Sequence, residues 1–311
     1  MADAAAQLSA HRQLDLILVE RDPATFERLK AVLASRSLTF NHGPFQGAVE
    51  ERLDEVLALA DGVPLFAFLD PYGLGLGFRD VVGKIMGRPM GPGLGTEVLL
   101  NFSADAVRRI GGLLTTEKTA PGRDRTLAGL DAVCGGSWWR DIYVAANSPQ
   151  AASDRIAHEY LSRLCTAAGC RGWAVPVQRA PDQQPVYTLV YLTRHDDGIR
   201  LFGEAVSKSL EDWRRAVAGS GTLDDEGFFE DAEAALAESW HAEIVGNLRR
   251  MLATGSPVHL GNQAPAVYGA ALGEAREKHL RRAVRELHRS GEIAEDPKGQ
   301  DLWRLVVHRT T

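Results

Sequence analysis

The chain has 311 residues, of which 45% are hydrophobic and 24% charged, and this composition excludes disordered, collagen-like and coiled-coil proteins. Its formal charge of −6 argues against a protein that coats nucleic acid over its whole surface, but it allows a local basic patch. No apolar run approaches the roughly 20 residues that span a bilayer, the N-terminus lacks the pattern of a secretory signal, and the three cysteines have neither zinc-site nor disulfide-framework spacing. We therefore expect a cytoplasmic protein with reduced thiols, no membrane segment and no metal site.

The first half of the chain alternates apolar, strand-like runs with amphipathic helices. Asp22-Pro23 has the pattern of a helix start, since the acid can cap the first turn and proline fits the first helical position. A second helix is predicted over Ala48–Ala60 from its apolar spacing. The strand candidates are Leu14–Glu20, Leu38–Phe40, Pro64–Asp70 and Thr96–Phe102. Strand and helix in alternation predict a mostly parallel sheet with helices on both faces.

A glycine-rich stretch, Gly73–Gly95, separates the last two of these strands. It lacks the Gly-Lys-Ser/Thr and G-x-G-x-x-G patterns of phosphate-binding loops. A mobile loop over a site is the favoured interpretation, and a plain surface loop is the alternative. Phe78–Met86 within it has the composition of a short helix.

The pattern changes after Asn101. Helices are predicted over Ala104–Leu114, Gly122–Val133, Ser153–Ala168 and Leu201–Ala218. Between the last two lie two strand candidates, Trp173–Gln178 and Val186–Thr193, joined by a polar connector that contains two prolines. Such a connector is typical of a hairpin, which predicts a late antiparallel pair on an otherwise parallel sheet.

Small and acidic residues over 219–227 predict a break in the chain. We expect a first domain over residues 1–218, an acidic linker or helix over 219–238, and a second domain over 239–311. The second domain reads as helix, extended segment, helix, helix and hairpin, with a turn at Asp296-Pro-Lys-Gly299. That order is typical of a winged helix-turn-helix.

The last long helix, Glu274–Ser290, carries more cations than acids. Arg281, Arg285 and Arg289 recur every four residues and therefore share one face of the helix. In a winged helix this element would enter the major groove of DNA, with Lys298 near a phosphate in the wing. The alternative is a charged, solvated helix in a small domain that holds a partner protein.

The strongest catalytic candidate is the string Asp70-Pro-Tyr-Gly73 at the end of a buried strand. Ligands of open α/β sheets bind beyond the carboxyl ends of the strands. There the Asp70 carboxylate and the Pro71 carbonyl can accept the two N–H bonds of an amino group, and Tyr72 can stack on a flat ring. The alternative is a strand end followed by an ordinary β-turn, for which Asp-Pro-x-Gly is a common sequence.

Glu20 ends the first predicted strand. In nucleotide-binding α/β folds an acid at the end of the second strand hydrogen-bonds the ribose hydroxyls. Glu20 is therefore the candidate for the ribose of a cofactor, in combination with Asp70 on a later strand.

Five segments, taken together and in order, carry a resemblance that extends over most of residues 1–215. They are Ile17–Asp22, Leu65–Gly73, Glu97–Phe102, Gly135–Trp138 and Tyr187–His195. In this series the chain resembles the three-Cys-motif partner protein family, whose members are similar to class I S-adenosylmethionine-dependent methyltransferases. The Asp-Pro-aromatic-Gly string also resembles that of tRNA guanine N2-methyltransferases.

The resemblance implies a Rossmann-like class I methyltransferase sheet, mostly parallel with a late antiparallel strand, and an appended winged helix. It implies S-adenosylmethionine as cofactor and methyl transfer to an amino nitrogen of a nucleic-acid base. Asp70, Pro71 and Tyr72 would then hold the amine and its ring, and Glu20 the ribose of the cofactor. The implied partners are a three-Cys-motif protein and DNA or RNA.

The sequence departs from the family pattern at two positions. The glycine-rich Asp-x-x-x-Gly-x-Gly signature of the first strand is not found before Leu14, and Gly43-Pro44 stands where the family has Gly-Asp. In this topology the first strand is central. We therefore expect an N-terminally shortened form that lacks this strand and does not bind the cofactor normally. The alternative from another class is a non-catalytic interaction module that binds a partner protein or nucleic acid through the winged helix.

Overall fold

The computed structural model describes residues 14–36, 41–71, 73–89, 91, 94–116, 121–219 and 225–310. The fold is mixed α/β, as predicted. The chain forms two compact units, Met1–Ala168 and Gly169–Thr311. The predicted assignment of a first domain to residues 1–218 and a second domain to residues 239–311 remains a prediction.

The strands of the first unit form two parallel pairs. They are β1 (Asp15–Glu20), β2 (Asn41–Gln46), β3 (Leu65–Leu69) and β4 (Thr96–Phe102). β1 pairs with β2 and β3 pairs with β4, so the predicted parallel pairing is confirmed. Within the described part of this unit no strand joins one pair to the other.

β2 differs from the predicted strand in its start and in its content. The strand predicted at Leu38–Phe40 lies outside the described residues, and β2 begins directly after it, at Asn41. Gly43-Pro44 stands where the family has Gly-Asp after a strand, but here the pair lies inside β2, opposite Ile17 and Leu18. β2 pairs only with β1 among the described strands, and an edge strand tolerates proline because its outer side needs no N–H donor.

Six helices are described in the first unit. The predicted cap of the first is confirmed: the Asp22 carboxylate accepts a hydrogen bond from the Thr25 N–H at 2.8 Å, and this bond lowers the pKa of Asp22. Within the glycine-rich stretch, Asp80–Ile85 forms a π-helical turn where a short helix was expected. The helices are α1 (Pro23–Ala34), α2 (Val49–Leu59), α3 (Ala104–Gly111), α4 (Arg123–Cys134), α5 (Trp138–Ala145) and α6 (Pro149–Ala168).

Sequence analysis did not predict α5, and the structure shows what holds it. Trp139 is 0% exposed, and its indole Nε1 donates to Asp131 Oδ1 at 2.8 Å. The Arg140 guanidinium binds both oxygens of the same carboxylate, with Nη2 2.6 Å from Oδ2. The Gly-Gly-Ser-Trp segment thus turns the chain from α4 into α5.

The second unit begins with the predicted hairpin. β5 (Arg171–Val177) and β6 (Tyr187–Thr193) are antiparallel, with Trp173 opposite Tyr191. The helices and strands that follow are α7 (Gly198–Ala218), α8 (Asp225–Leu252), β7 (Val258–His259), α9 (Ala264–Tyr268), α10 (Glu277–Arg289) and β8 (Val306–Val307). Since α8 is continuous, the acidic segment predicted as linker or helix is helical from Asp225 onward.

The end of the chain has a hydrophobic core of its own. β7 pairs antiparallel with β8, and Ile293 forms an antiparallel bridge with Arg309 on the same C-terminal segment. α8, α9 and α10 pack with these extended segments around a common set of buried side chains, among them Ile244, Leu248, Val267, Leu280, Val284, Leu287 and Val307. Nowhere in the described ranges is a helix both long and apolar enough to cross a membrane.

Candidate functional site

The carboxyl ends of β3 and β4 bring two polar side chains together. Leu69 lies opposite Leu100 in the parallel register, so Asp70 and Asn101 are neighbours just beyond it. Asn101 Nδ2 donates to Asp70 Oδ1 at 2.8 Å. Asp70 itself is exposed. The candidate acid therefore lies at the strand end where sequence analysis placed it, and is oriented by an amide from the next strand.

Asn101 is a functional candidate that the sequence analysis missed. Its Oδ1 is buried and, among the described residues, has no hydrogen-bond partner. The bond from the amide nitrogen to Asp70 fixes which side-chain atom is the oxygen, and an amide oxygen can only accept. A buried unsatisfied acceptor is costly and calls for an explanation. The signal that could have found it is a polar residue near the carboxyl end of the neighbouring strand, where ligands of α/β sheets bind.

The loop after β3 covers the crevice beside Asn101. Pro71, Leu74 and Leu76 of the loop form one wall. A Cβ on Gly75 would lie 2.9 Å from Pro71 Cγ, so only glycine lets the loop fold back this closely. The remaining space is about 10 Å³, which is room for about one water molecule. Tyr72, predicted to stack on a ring, lies outside the described residues.

Glu20 lies at the carboxyl end of β1, on the other strand pair. Its Oε1 accepts a hydrogen bond from the Asp22 N–H at 2.7 Å, which orders the turn into α1. The described contacts include no hydrogen bond or ion pair between Glu20 and Asp70. The structure thus places Glu20 at a strand end, as predicted, and gives it a local role in a turn.

The basic helix α10 has one buried face and one exposed cationic face. Its buried face carries Leu280, Ala283, Val284 and Leu287. On the opposite side Lys278, Arg285 and Arg289 follow one another at spacings of two turns and one turn, and all are exposed. Within the described part of the chain none of these three side chains has a hydrogen-bond or ion-pair partner. Two of the predicted phosphate-binding residues are thus free cations on one face.

Arg281, predicted to share that face, is engaged elsewhere. Its Nη1 donates to the carbonyl oxygens of Pro297, at 2.7 Å, and Gln300, at 3.2 Å, and its Nη2 binds Glu277. These bonds hold the loop that contains Lys298, which is exposed. Arg281 therefore fixes the position of the loop relative to α10.

Acids of α8 and α10 limit the cationic face on one side. Arg282 is bound by both carboxylate oxygens of Glu238, at 2.6 and 2.8 Å. His241 Nε2 lies 2.7 Å from Glu286 Oε2. Among the described residues of α10, the cations without an ion-pair partner are therefore those of the stripe, Lys278, Arg285 and Arg289.

Comparison of the chain with protein-family models, with curated proteins and with solved structures found no match. The geometry of these two sites is accordingly the basis for a functional proposal.

Proposed function

We propose that the chain binds nucleic acid through the exposed face of α10 and the loop that carries Lys298. The observation that carries this proposal is the stripe of Lys278, Arg285 and Arg289, exposed and opposite the buried face of the helix. The order of α8, β7, α9, α10 and β8, in which β8 pairs with β7 and Ile293 bridges to Arg309, supports a winged helix-turn-helix. In that architecture the second helix of the pair lies in the major groove of duplex DNA.

The proposal has a quantitative consequence. Neutralising a phosphate with Lys or Arg releases condensed counterions, and four contacts give a slope of log K against log salt of about −3 to −4 on B-DNA. Because the chain as a whole is acidic, we expect phosphates to be attracted only near the stripe and Lys298. A domain that holds a partner protein, such as a three-Cys-motif protein, predicts no such slope.

The test is duplex DNA binding by fluorescence anisotropy at several salt concentrations. Replacing Arg285 and Arg289 together by alanine should weaken binding at least about tenfold and reduce the salt slope by about 2. Arg304→Ala is the matched control, because this arginine is 89% exposed but paired with Asp301. Equal binding of DNA by the double variant and the control would refute the proposal. Tighter binding to an RNA duplex than to a DNA duplex would identify RNA as the ligand.

A second candidate function is binding of a planar amine at Asp70, favoured by the unpartnered Asn101 Oδ1 beside it. An amino group has two N–H donors, and the second oxygen of Asp70 and Asn101 Oδ1 supply two acceptors. Methyl transfer to such an amine is the reaction that the family resemblance implies, with Pro71 and Tyr72 beside the ring.

The described crevice does not fit S-adenosylmethionine. It holds about one water molecule, and Glu20, the residue implied for the ribose, lies on the other strand pair. We therefore derive no methylation step for it. Isothermal titration tests this lack of fit: we expect no micromolar binding of S-adenosylmethionine, and micromolar binding by the 311-residue chain would overturn it.

A further inference from the structure

The second unit contains a cavity that shares only Lys278 with the proposed nucleic-acid-binding stripe. It lies between α7, α8 and the segment that leads into α10, and its volume is about 210 Å³. Ionic side chains form most of its wall, and the indole of Trp240 is also part of the wall. The lining residues that matter for its chemistry are Glu211, Arg214, Glu233, Trp240, Arg276 and Lys278.

The acids of this cavity are already paired. Glu233 binds Arg214 through both oxygens, and Arg214 Nη1 also donates to Glu274 Oε2 at 2.9 Å. Glu211 binds the guanidinium of Arg276. No acid in the wall is therefore left to attract a cation.

The groups that remain unused are donors. Arg276 Nε is buried, and in the described ranges it has no hydrogen-bond partner. The Lys278 ammonium lacks an ion-pair partner across the same ranges. Burying an N–H without an acceptor is unfavourable, and an anionic oxygen is the group that would satisfy both donors.

An aromatic wall lies beside these donors. The Trp240 ring is 9% exposed and packs edge-on against His279, with centroids 5.4 Å apart. Burial and the neighbouring cations lower the pKa of His279 to about 4, so this ring is neutral at physiological pH. The cavity thus combines one buried donor without a partner, Arg276 Nε, and one ammonium without an ion pair, Lys278, with two neutral aromatic rings.

We propose that this cavity binds a small aromatic carboxylate. The carboxylate would accept from Arg276 Nε and Lys278 Nζ, and the flat ring would lie against Trp240. The cavity volume is below that of drug-sized sites, which selects a ligand of one or two rings.

The test is isothermal titration of the full chain with benzoate and 1-naphthoate, and with the neutral amides of both acids. The carboxylates should bind at least about tenfold more tightly than the amides, because only they satisfy cationic donors. Acetate should bind more weakly than either aromatic acid.

A pair of lysine variants tests the position of the site. Lys278→Gln removes an exposed side chain without an ion pair, so the fold should survive, and it should weaken carboxylate binding about tenfold. Lys298→Gln, a matched change in the loop after α10, should have no effect. Equal binding of acid and amide, equal binding of acetate, equal losses in both variants, or no binding of any probe would each overturn the proposal.

Discussion

The imidazole of His279 links the stability of the C-terminal core to pH. His279 is 7% exposed, and its Nδ1 accepts a hydrogen bond from the backbone N–H of Arg276 at 2.9 Å, just before α10 begins. A ring nitrogen that accepts cannot carry a proton, so this bond requires the neutral ring. Protonation would break the bond and place a charge beside other cations.

The magnitude follows from the shift of the pKa. Burial, and then the charges of Lys278, Arg276, Arg282 and His241, lower the pKa of His279 from 6.5 to about 4. Between these values the unfolded chain binds more protons than the folded chain, so stability rises with pH. The contribution is fully present above the unfolded pKa and is lost as the pH falls towards 4. From about pH 7 to about pH 4.5 this group alone should cost about 2–3 kcal/mol.

The assay compares the wild type with His279→Asn by urea denaturation at both pH values. The asparagine oxygen can still accept from the Arg276 N–H, but it does not titrate. Other groups, such as Glu292 and Glu295 with their lowered pKa values, affect both proteins equally and cancel in the difference. We expect acidification to move the difference in unfolding free energy by about 2 kcal/mol in favour of the variant. Parallel pH profiles would refute the reasoning.

Two further predictions concern packing, and both are measured by urea denaturation. Asp131→Ala leaves the buried indole N–H of Trp139 without an acceptor and should cost about 2–4 kcal/mol, of which Asp131→Asn should recover part; a loss below about 0.5 kcal/mol would contradict this role. Gly273→Ala places a Cβ 2.2 Å from the ring of Trp173 at a φ of +78°, whereas Gly255→Ala has a similar φ of +79° and open space. The first should therefore cost at least about 2 kcal/mol more than the second, and equal losses would show that the ring moves freely aside.

The elements that sequence predicted best are those whose pattern reflects burial. β4 buries every second residue, with apolar Val98, Leu100 and Phe102 on the buried face, and α10 has an apolar stripe on its buried face, so both follow largely from the residue pattern. α5 was missed because it is short and because a carboxylate on the preceding helix, Asp131, holds its first turn. Such a contact belongs to tertiary structure and leaves no local periodic signal.

Some residues of the two candidate sites could likewise be predicted from the sequence, and others could not. Asp70 was found because a polar residue at the end of an apolar strand is visible in sequence, whereas its partner Asn101 depends on the register between β3 and β4. Arg281 shares helical spacing with Arg285, yet the carbonyl groups of a loop sixteen to nineteen residues later decide its role. Spacing predicts which residues share a helix face, but partners distant in sequence determine which of them remain free.

The packing around β3 and around α10 is the reason that we propose nucleic-acid binding before catalysis. β3 has no strand neighbour in the described chain except β4, and its Phe66 and Phe68 side chains are each 57% exposed. These two side chains share one face of β3. Burying such a side chain is worth about 1.5–3 kcal/mol, so this face forgoes the stabilisation that a covering element would give. The C-terminal core shows the opposite, with Leu280 and Val307 both fully buried. Binding through the exposed face of α10 requires only the packed core that holds this helix. A cofactor site at β3 that uses Glu20 would require the pair of β1 and β2 to lie beside β3 in one sheet.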